Sequence, residues 1–202
     1  MAHRKQTSAR RLKWVVLLLL LGAGVVAVLD WRWLQRERRY DAVILTAARR
    51  HGVDPALLKA VVWRESRFDA DAVGRVGELG LMQITEDAAL EWAGEQGIAG
   101  FDHQSLRDPG SNTLCGAWYL SRLVRRYQRT DDALPYALAD YNAGRGNVLR
   151  WAKGEAATNS TAFLAAMTFP GTRDYVNAIL ARRGHYTNDF ASLPAVGTMR
   201  AR

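Results

Sequence analysis

The sequence has a single cysteine and only four histidines among its 202 residues. One cysteine excludes an internal disulfide framework and a cysteine-based zinc cage. His51, His103 and His185 lie far apart without the spacing of metal ligands, and there is no glycine-rich phosphate loop, so we expect neither a metal nor another cofactor. Mostly small or apolar neighbours surround Cys115, which indicates a buried structural thiol.

Net positive charge is concentrated at the N-terminus, and the net charge of the chain is +8. Residues 1–39 hold nine of the 28 Lys and Arg residues but two of the 20 Asp and Glu residues, so the rest of the chain is close to neutral. A nucleic-acid-binding domain would carry a basic face of its own. We therefore expect no nucleic-acid partner.

Long apolar runs are also absent, with one exception near the N-terminus. Residues 14–29 are sixteen consecutive apolar or glycine positions. As a helix they span roughly 24 Å, slightly less than the ~30 Å hydrocarbon core of a bilayer. Trp31 and Trp33 follow and can reach the membrane interface. We predict a transmembrane anchor over residues 14–33, in contact with membrane lipid, after a basic tail over residues 1–13.

A cleaved signal peptide is the alternative interpretation of this segment. Gly22, Ala23 and Gly24 provide a small-residue site for cleavage, but the apolar run continues to Leu29 beyond them. Basic residues precede the run without any acidic residue, which keeps the N-terminus in the cytoplasm. Everything after the anchor is then expected on the other side of the membrane.

Beyond the anchor, apolar residues recur at spacings of three and four, which is typical of helices packed on a core. Only the segment 76–82 could form strand pairs. We therefore predict an all-α domain over residues 34–186 and an irregular tail over residues 187–202. Helices are predicted over residues 34–53, from 54 to about 66, 85–92, 111–129, 133–143, 147–152, 161–167 and 172–183.

Glu65 is an acidic residue on the apolar stripe of its helix, seven residues after Leu58 and four after Val61. It also lies in the last helical turn, near the negative end of the helix dipole. Burial and dipole both disfavour the carboxylate, so its pKa should be raised. A carboxyl group that stays protonated near neutral pH can protonate a glycosidic oxygen. A structural ion pair with Arg64 or Arg67 is the alternative.

Five blocks of sequence resemble, in order, the lytic transglycosylase family of the lysozyme-like superfamily. The first is a helix that ends in Glu65 and Ser66, and the second is a G-x-x-G-L-M-Q element. The fourth resembles the family's A-Y-N-A-G motif, and the fifth its P-x-T-R-x-Y-V motif. The blocks are residues 53–68, 77–84, 108–120, 137–144 and 170–176.

The resemblance implies a lysozyme-like fold with Glu65 as the single catalytic acid and base. It implies that Tyr141 lies beside Glu65, and we expect its hydroxyl to orient the carboxyl group. Tyr175 corresponds to an aromatic residue of the glycan groove. The residues expected to contact the glycan are Ser66, Met82, Gln83, Tyr141, Asn142 and Tyr175.

The reaction that the resemblance implies is cleavage of the β-1,4 bond between N-acetylmuramic acid and N-acetylglucosamine in peptidoglycan. Glu65 protonates the linking oxygen and then takes the proton of the muramic 6-hydroxyl, which closes a 1,6-anhydro ring. The expected partner is the glycan strand, and the expected location is the periplasmic side of a bacterial inner membrane.

The sequence departs from the family pattern at several positions, among them Gly74, where the family often has Ser, and Asp140, where it often has Ala. Two alternatives stay open. A goose-type lysozyme-like hydrolase would need Asp69, Asp71 or Asp140 as a second carboxylate. An inactive peptidoglycan-binding scaffold would need no catalytic residue.

Overall fold

The computed structural model describes the backbone of residues 2–190 and the side chains of residues 14 and 16–190. The chain divides into two units between Arg39 and Tyr40. The first contains one helix, α1 (Ala2–Arg38), which continues without a break through the boundary predicted at residue 34. Most of the predicted tail, residues 191–202, lies outside the described part.

The apolar middle of α1 is exposed along its length and has the length and composition of a membrane span. The most apolar window of 18 residues has a mean hydropathy of 1.8, and none of its residues is buried. A membrane anchor and a signal sequence both fit this observation.

The second unit contains eight α-helices within the described residues. Two short 3₁₀ helices, His103–Arg107 and Gly154–Ala157, lie among them. The α-helices are α2 (Asp41–His51), α3 (Pro55–Ser66), α4 (Glu86–Glu95), α5 (Pro109–Arg126), α6 (Ala133–Ala143), α7 (Arg145–Trp151), α8 (Ser160–Ala166) and α9 (Pro170–Phe190).

The predicted all-α fold is confirmed, but several details differ: the helix predicted over residues 34–53 is interrupted between Arg38 and Asp41, and the helix predicted to end at residue 129 ends at Arg126. Residues 76–82 form no extended strand: among the described residues only isolated bridges join Val73 to Leu79 and Leu79 to Ile84. The last helix was predicted to end at residue 183, but α9 continues to Phe190. The buried Tyr186 and Phe190 continue its apolar face and pack on the core, which explains the extra turns.

Helix α3 is central to the fold because it packs against α9 and α2. Asp54 caps its N-terminus by accepting a hydrogen bond from Ala56 N, and Pro55 occupies the first turn. The buried ammonium group of Lys59 lies 2.7 Å from a carboxylate oxygen of Asp41 and 2.7 Å from one of Asp189. These ion pairs join α3 to α2 and α9, so the helix that ends at Glu65 is held from two sides.

Candidate active site

The chain turns sharply directly after Glu65. Arg67 and Phe68 have φ angles of 54° and 62°, in the left-handed region that residues with a Cβ rarely adopt. Arg67 N–H donates to Trp63 O and closes the helix. Phe68 is 2% exposed, so its burial offsets the cost of this conformation, roughly 1–2 kcal/mol per residue. The turn leaves Glu65 at the end of a rigid helix.

Ser66 connects the end of α3 to the glycine-rich loop over residues 77–84. Its hydroxyl lies 2.9 Å from Leu81 O and 3.2 Å from Val62 O, and the residue is 9% exposed. The Ser66 hydroxyl therefore donates its only proton inside the protein, and the glycan contact expected for Ser66 stays a prediction. Its role is to place the loop beside Glu65.

Asn112 holds the same loop from the other side. Its amide nitrogen donates to Leu79 O at 2.8 Å and Leu106 O at 2.9 Å, and its amide oxygen accepts from Met82 N at 2.9 Å. Gly80 has a φ of 73°, and a Cβ there would lie 2.4 Å from the Asn112 amide nitrogen. Glycine is thus required at residue 80 by both backbone and space.

Met82, which the resemblance assigns to the glycan groove, is buried in this structure. Its side chain is 0% exposed and packs on Gly116, where a Cβ would lie 2.2 Å from the Met82 sulfur. Gln83 is half-buried, and its amide nitrogen donates to Ala72 O at 3.2 Å and Gly80 O at 3.0 Å. This leaves the Gln83 amide oxygen as the group that can accept a hydrogen bond from a ligand.

Glu65 accepts a short hydrogen bond of 2.5 Å from the hydroxyl of Tyr175. The pKa of Glu65 is raised from 4.5 to about 7, chiefly by burial. The Tyr175 hydrogen bond and the positive charge of Arg64 lower this pKa, whereas the negative charge of Glu78 raises it further. Glu65 is thus protonated in a substantial fraction of molecules at neutral pH, as the sequence predicted.

Tyr141 and Tyr175 make different hydrogen bonds from those that we expected of them. Tyr141 donates its hydroxyl proton to Met82 O at 2.8 Å and therefore cannot donate it to Glu65. Tyr175, expected as a groove aromatic, is 3% exposed and is the residue that orients Glu65. Burial raises the pKa of the Tyr141 phenol, and the nearby charge of Glu65 raises it further.

The two residues that flank Tyr141 in sequence differ in exposure and in their hydrogen bonds. Asn142 is exposed, and its amide oxygen accepts from the Thr172 hydroxyl at 2.8 Å, which joins α6 to α9. Asp140 is buried, 2.6 Å from an Arg126 nitrogen and 2.7 Å from the Tyr127 hydroxyl. Asp140 is thus engaged by Arg126 and Tyr127, which makes it unsuited as a second cleft carboxylate.

Glu78 is the residue of this region to which the sequence analysis gave no role. Its carboxylate oxygen Oε2 accepts from Val76 N at 3.0 Å. A Cβ on Gly74 would lie 2.1 Å from that oxygen and 2.8 Å from the amide oxygen of Gln83. The Glu78 carboxylate thus occupies the space that a side chain at position 74 would take, a contact that the separation of four residues in a loop does not reveal.

The described residues contain no group of three or more His, Cys, Asp or Glu side chains placed to hold a metal ion. Cys115 is 0% exposed, and burial raises the pKa of its thiol to about 12. A thiol with this pKa is not ionised near neutral pH, so Cys115 is part of the core, as predicted.

Comparison with known proteins finds a match over the part of the chain that contains Glu65. Residues 42–164 match the model of the family described as Transglycosylase SLT domain. An inactive mutant of lytic transglycosylase Slt from Pseudomonas aeruginosa is 28% identical, with a TM-score of 0.70, over 77% of this chain and 25% of that chain. The 70-kDa soluble lytic transglycosylase from Escherichia coli is 26% identical, with a TM-score of 0.61, over 78% and 24%.

The 70-kDa soluble lytic transglycosylase has also been solved in complex with bulgecin A, and that structure is 25% identical to this chain. Its TM-score is 0.68, and the match covers 80% of this chain and 26% of the other. This chain thus spans about a quarter of the length of these relatives. The family model matches more than half of the present chain, and so the chain belongs to the transglycosylase SLT domain family.

Proposed function

We propose that this chain is a membrane-anchored peptidoglycan lytic transglycosylase. In this proposal it cleaves the β-1,4 bond between N-acetylmuramic acid and N-acetylglucosamine and leaves a 1,6-anhydro end, with Glu65 as general acid and base. The observation that carries the proposal is the half-buried carboxyl group of Glu65 at the end of α3, which accepts a hydrogen bond from Tyr175 and whose pKa is raised to about 7. Family membership supplies the substrate class, because the matched relatives are lytic transglycosylases.

The first half of the reaction needs a proton donor. Glu65, protonated, gives its proton to the glycosidic oxygen, and the bond from that oxygen to the anomeric carbon breaks. N-acetylglucosamine departs with a free 4-hydroxyl group, and the muramic acetamido group assists at the anomeric carbon. The Tyr175 hydroxyl, 2.5 Å from the carboxyl oxygen, orients Glu65 and stabilises the carboxylate that forms.

The second half needs a base. The Glu65 carboxylate takes the proton of the muramic 6-hydroxyl, whose oxygen bonds to the anomeric carbon and closes the anhydro ring. No water is consumed, and Glu65 is protonated again for the next cycle. The 6-hydroxyl is tethered to the reacting carbon, so its effective concentration greatly exceeds that of a competing water molecule.

A goose-type hydrolase is a second candidate because one observation favours it. Glu78 brings a second negative charge into the neighbourhood of Glu65, and two carboxylates are the usual equipment of glycosidases. Asp140 is engaged by Arg126 and Tyr127, which removes one of the three acids considered from the sequence. If Glu78 activated a water molecule, the product would carry a reducing end.

Product analysis tests these proposals. The full chain, purified in detergent, is incubated with peptidoglycan sacculi, and the released fragments are analysed by mass spectrometry. We expect anhydro ends, which lack one water relative to reducing ends, and a loss of activity of at least ~10²–10⁴-fold in Glu65→Gln. Reducing ends would support the hydrolase instead. A wild-type chain that binds sacculi without cleaving them would support the inactive scaffold.

A further inference from the structure

The glycine at position 74 is not required by its backbone. Gly74 is absent from the glycines of positive φ, so a residue with a side chain could adopt the same conformation. A Cβ at this position would lie 2.1 Å from the Glu78 carboxylate oxygen, so a side chain there requires that carboxylate to move. Glu78 thus fills the volume that a side chain at position 74 would take.

The loop that carries Glu78 is joined to the end of α3, because the Ser66 hydroxyl donates to Leu81 O at 2.9 Å. A Cβ at Gly74 would also lie 2.8 Å from the amide oxygen of Gln83. Gln83 follows Met82, whose carbonyl receives the hydroxyl of Tyr141. Two acceptor oxygens, one of them from a carboxylate, therefore lie side by side on the part of the loop that approaches the candidate site.

The immediate surroundings keep Glu78 in place without enclosing it. Val76 N donates to one carboxylate oxygen at 3.0 Å, and the side chain is only partly buried. The charge of Glu78 also acts on Glu65, where it opposes ionisation. A carboxylate that is fixed by the backbone, partly open to solvent and close to the proton donor can act on a bound sugar.

We propose that Glu78 is a second catalytic carboxylate, which contacts the sugar whose glycosidic bond Glu65 protonates and stabilises the positive charge that develops on its anomeric carbon. This inference rests on the proposed function. Glycosidic bond cleavage passes through an oxocarbenium-like transition state, and a preorganised negative charge stabilises that state more than the bound substrate. The Gln83 side chain, which lies beside the Glu78 carboxylate, contributes only an uncharged amide oxygen.

Glu78 forms no bond to the sugar and transfers no proton in this proposal. The proton that leaves Glu65 for the glycosidic oxygen is replaced by the proton of the muramic 6-hydroxyl, so the reaction is balanced without Glu78. Removing its charge should therefore slow the reaction and leave the anhydro product unchanged.

Glu78→Gln is the first test, because it removes the charge and retains the size and an acceptor oxygen for Val76 N. We expect kcat to fall on the order of 10²-fold, with KM little changed and anhydro ends still formed. The alkaline limb of kcat/KM, set by Glu65, should move to lower pH, because Glu65 would keep its burial, Tyr175 and Arg64 but lose a negative neighbour. Glu86→Gln, an exposed acid on α4, is the matched control and should change neither quantity.

A second set of variants uses the space shared by positions 74 and 78. Gly74→Ser should displace the Glu78 carboxylate and lower kcat to a similar extent. In the Glu78→Ala background, where the space is vacant, the same serine should cause little further loss. The two substitutions would then be strongly non-additive, as expected of groups that share one volume.

The outcomes separate the two proposals. A wild-type chain that releases no anhydro ends refutes the proposed function itself. A wild-type chain that does so, with Glu78→Gln equal to it in kcat and pH profile, refutes the role of Glu78 alone. Losses of kcat in Gly74→Ser and Glu78→Ala that are additive in the double variant would also refute the role of Glu78. Reducing ends that are released by the wild type and disappear in Glu78→Gln would refute it too, because Glu78 would then activate water.

Discussion

Replacing Glu65 by Gln should stabilise the domain at pH 8 and have a much smaller effect at pH 5. In the folded protein burial raises the pKa of Glu65 from 4.5 to about 7. The folded state therefore binds the proton more tightly than the unfolded state does. As pH rises from about 4.5 to about 7, the unfolded chain gains by losing this proton before the folded chain can, so the wild-type protein loses stability.

The magnitude follows from the size of the pKa shift. Each pKa unit corresponds to ~1.4 kcal/mol, so the rise from 4.5 to about 7 costs roughly 3 kcal/mol above pH 7. Gln has no proton to lose and retains an oxygen that can accept from the Tyr175 hydroxyl. For a domain of this size roughly 3 kcal/mol corresponds to a Tm difference of roughly 6–12 °C.

Thermal unfolding of the full chain in a mild non-ionic detergent, followed by circular dichroism from pH 5 to pH 8, measures this difference. The quantity of interest is Tm of Glu65→Gln minus Tm of the wild type at each pH, with Glu86→Gln as the control for the removal of an exposed charge. A difference that stays constant from pH 5 to pH 8 would refute the raised pKa of Glu65 and with it the basis for general acid catalysis.

Three further predictions concern the tyrosines and the N-terminal helix. Tyr175→Phe removes a hydrogen bond that lowers the pKa of Glu65, so the alkaline limb of kcat/KM should move up by about one to two pH units; an unchanged limb would contradict the contact. Tyr141→Phe removes the donor to the Met82 carbonyl and should lower the free energy of unfolding by about 1–3 kcal/mol, which urea titration measures. The alkaline limb of kcat/KM should shift much less in Tyr141→Phe than in Tyr175→Phe, which the same pH profile checks. The full chain should fractionate with the membrane and resist extraction by high salt, because α1 is exposed and apolar. A soluble protein whose N-terminal sequencing starts near Val25 would instead show that the segment is a signal peptide.

Most of the fold could be predicted from the sequence because helix formation leaves a local signal. The boundaries predicted for α6 agree with Ala133–Ala143, where Asp132 caps the first turn through Leu134 N. The end of α9 was missed because its last turns are stabilised by contacts of Phe190 and Tyr186 with residues far away in sequence. The periodicity of apolar residues does not show which helical turns pack against residues that are distant in sequence.

The candidate site was predictable as a set of residues but not as a set of contacts. The position of Glu65 and the family membership follow from linear motifs. The side chains of Ser66 and Met82, both expected to contact the glycan, make internal contacts in the structure: Ser66 donates to Leu81 O, and Met82 packs on Gly116. A motif records that a residue is needed, and it does not distinguish a residue that binds substrate from one that supports the loop.

The sequence by itself thus determined the helical domain, the apolar N-terminal helix and the acid at the end of α3, because each depends on neighbours within a few turns. Only the tertiary structure decided which tyrosine reaches Glu65. Tyr175 is 110 positions away from Glu65 in sequence, and Tyr141 is 59 positions away from Met82. The choice between them is made by the packing of whole helices, since a hydroxyl has one proton to donate and its distance to each acceptor is set by the folded core.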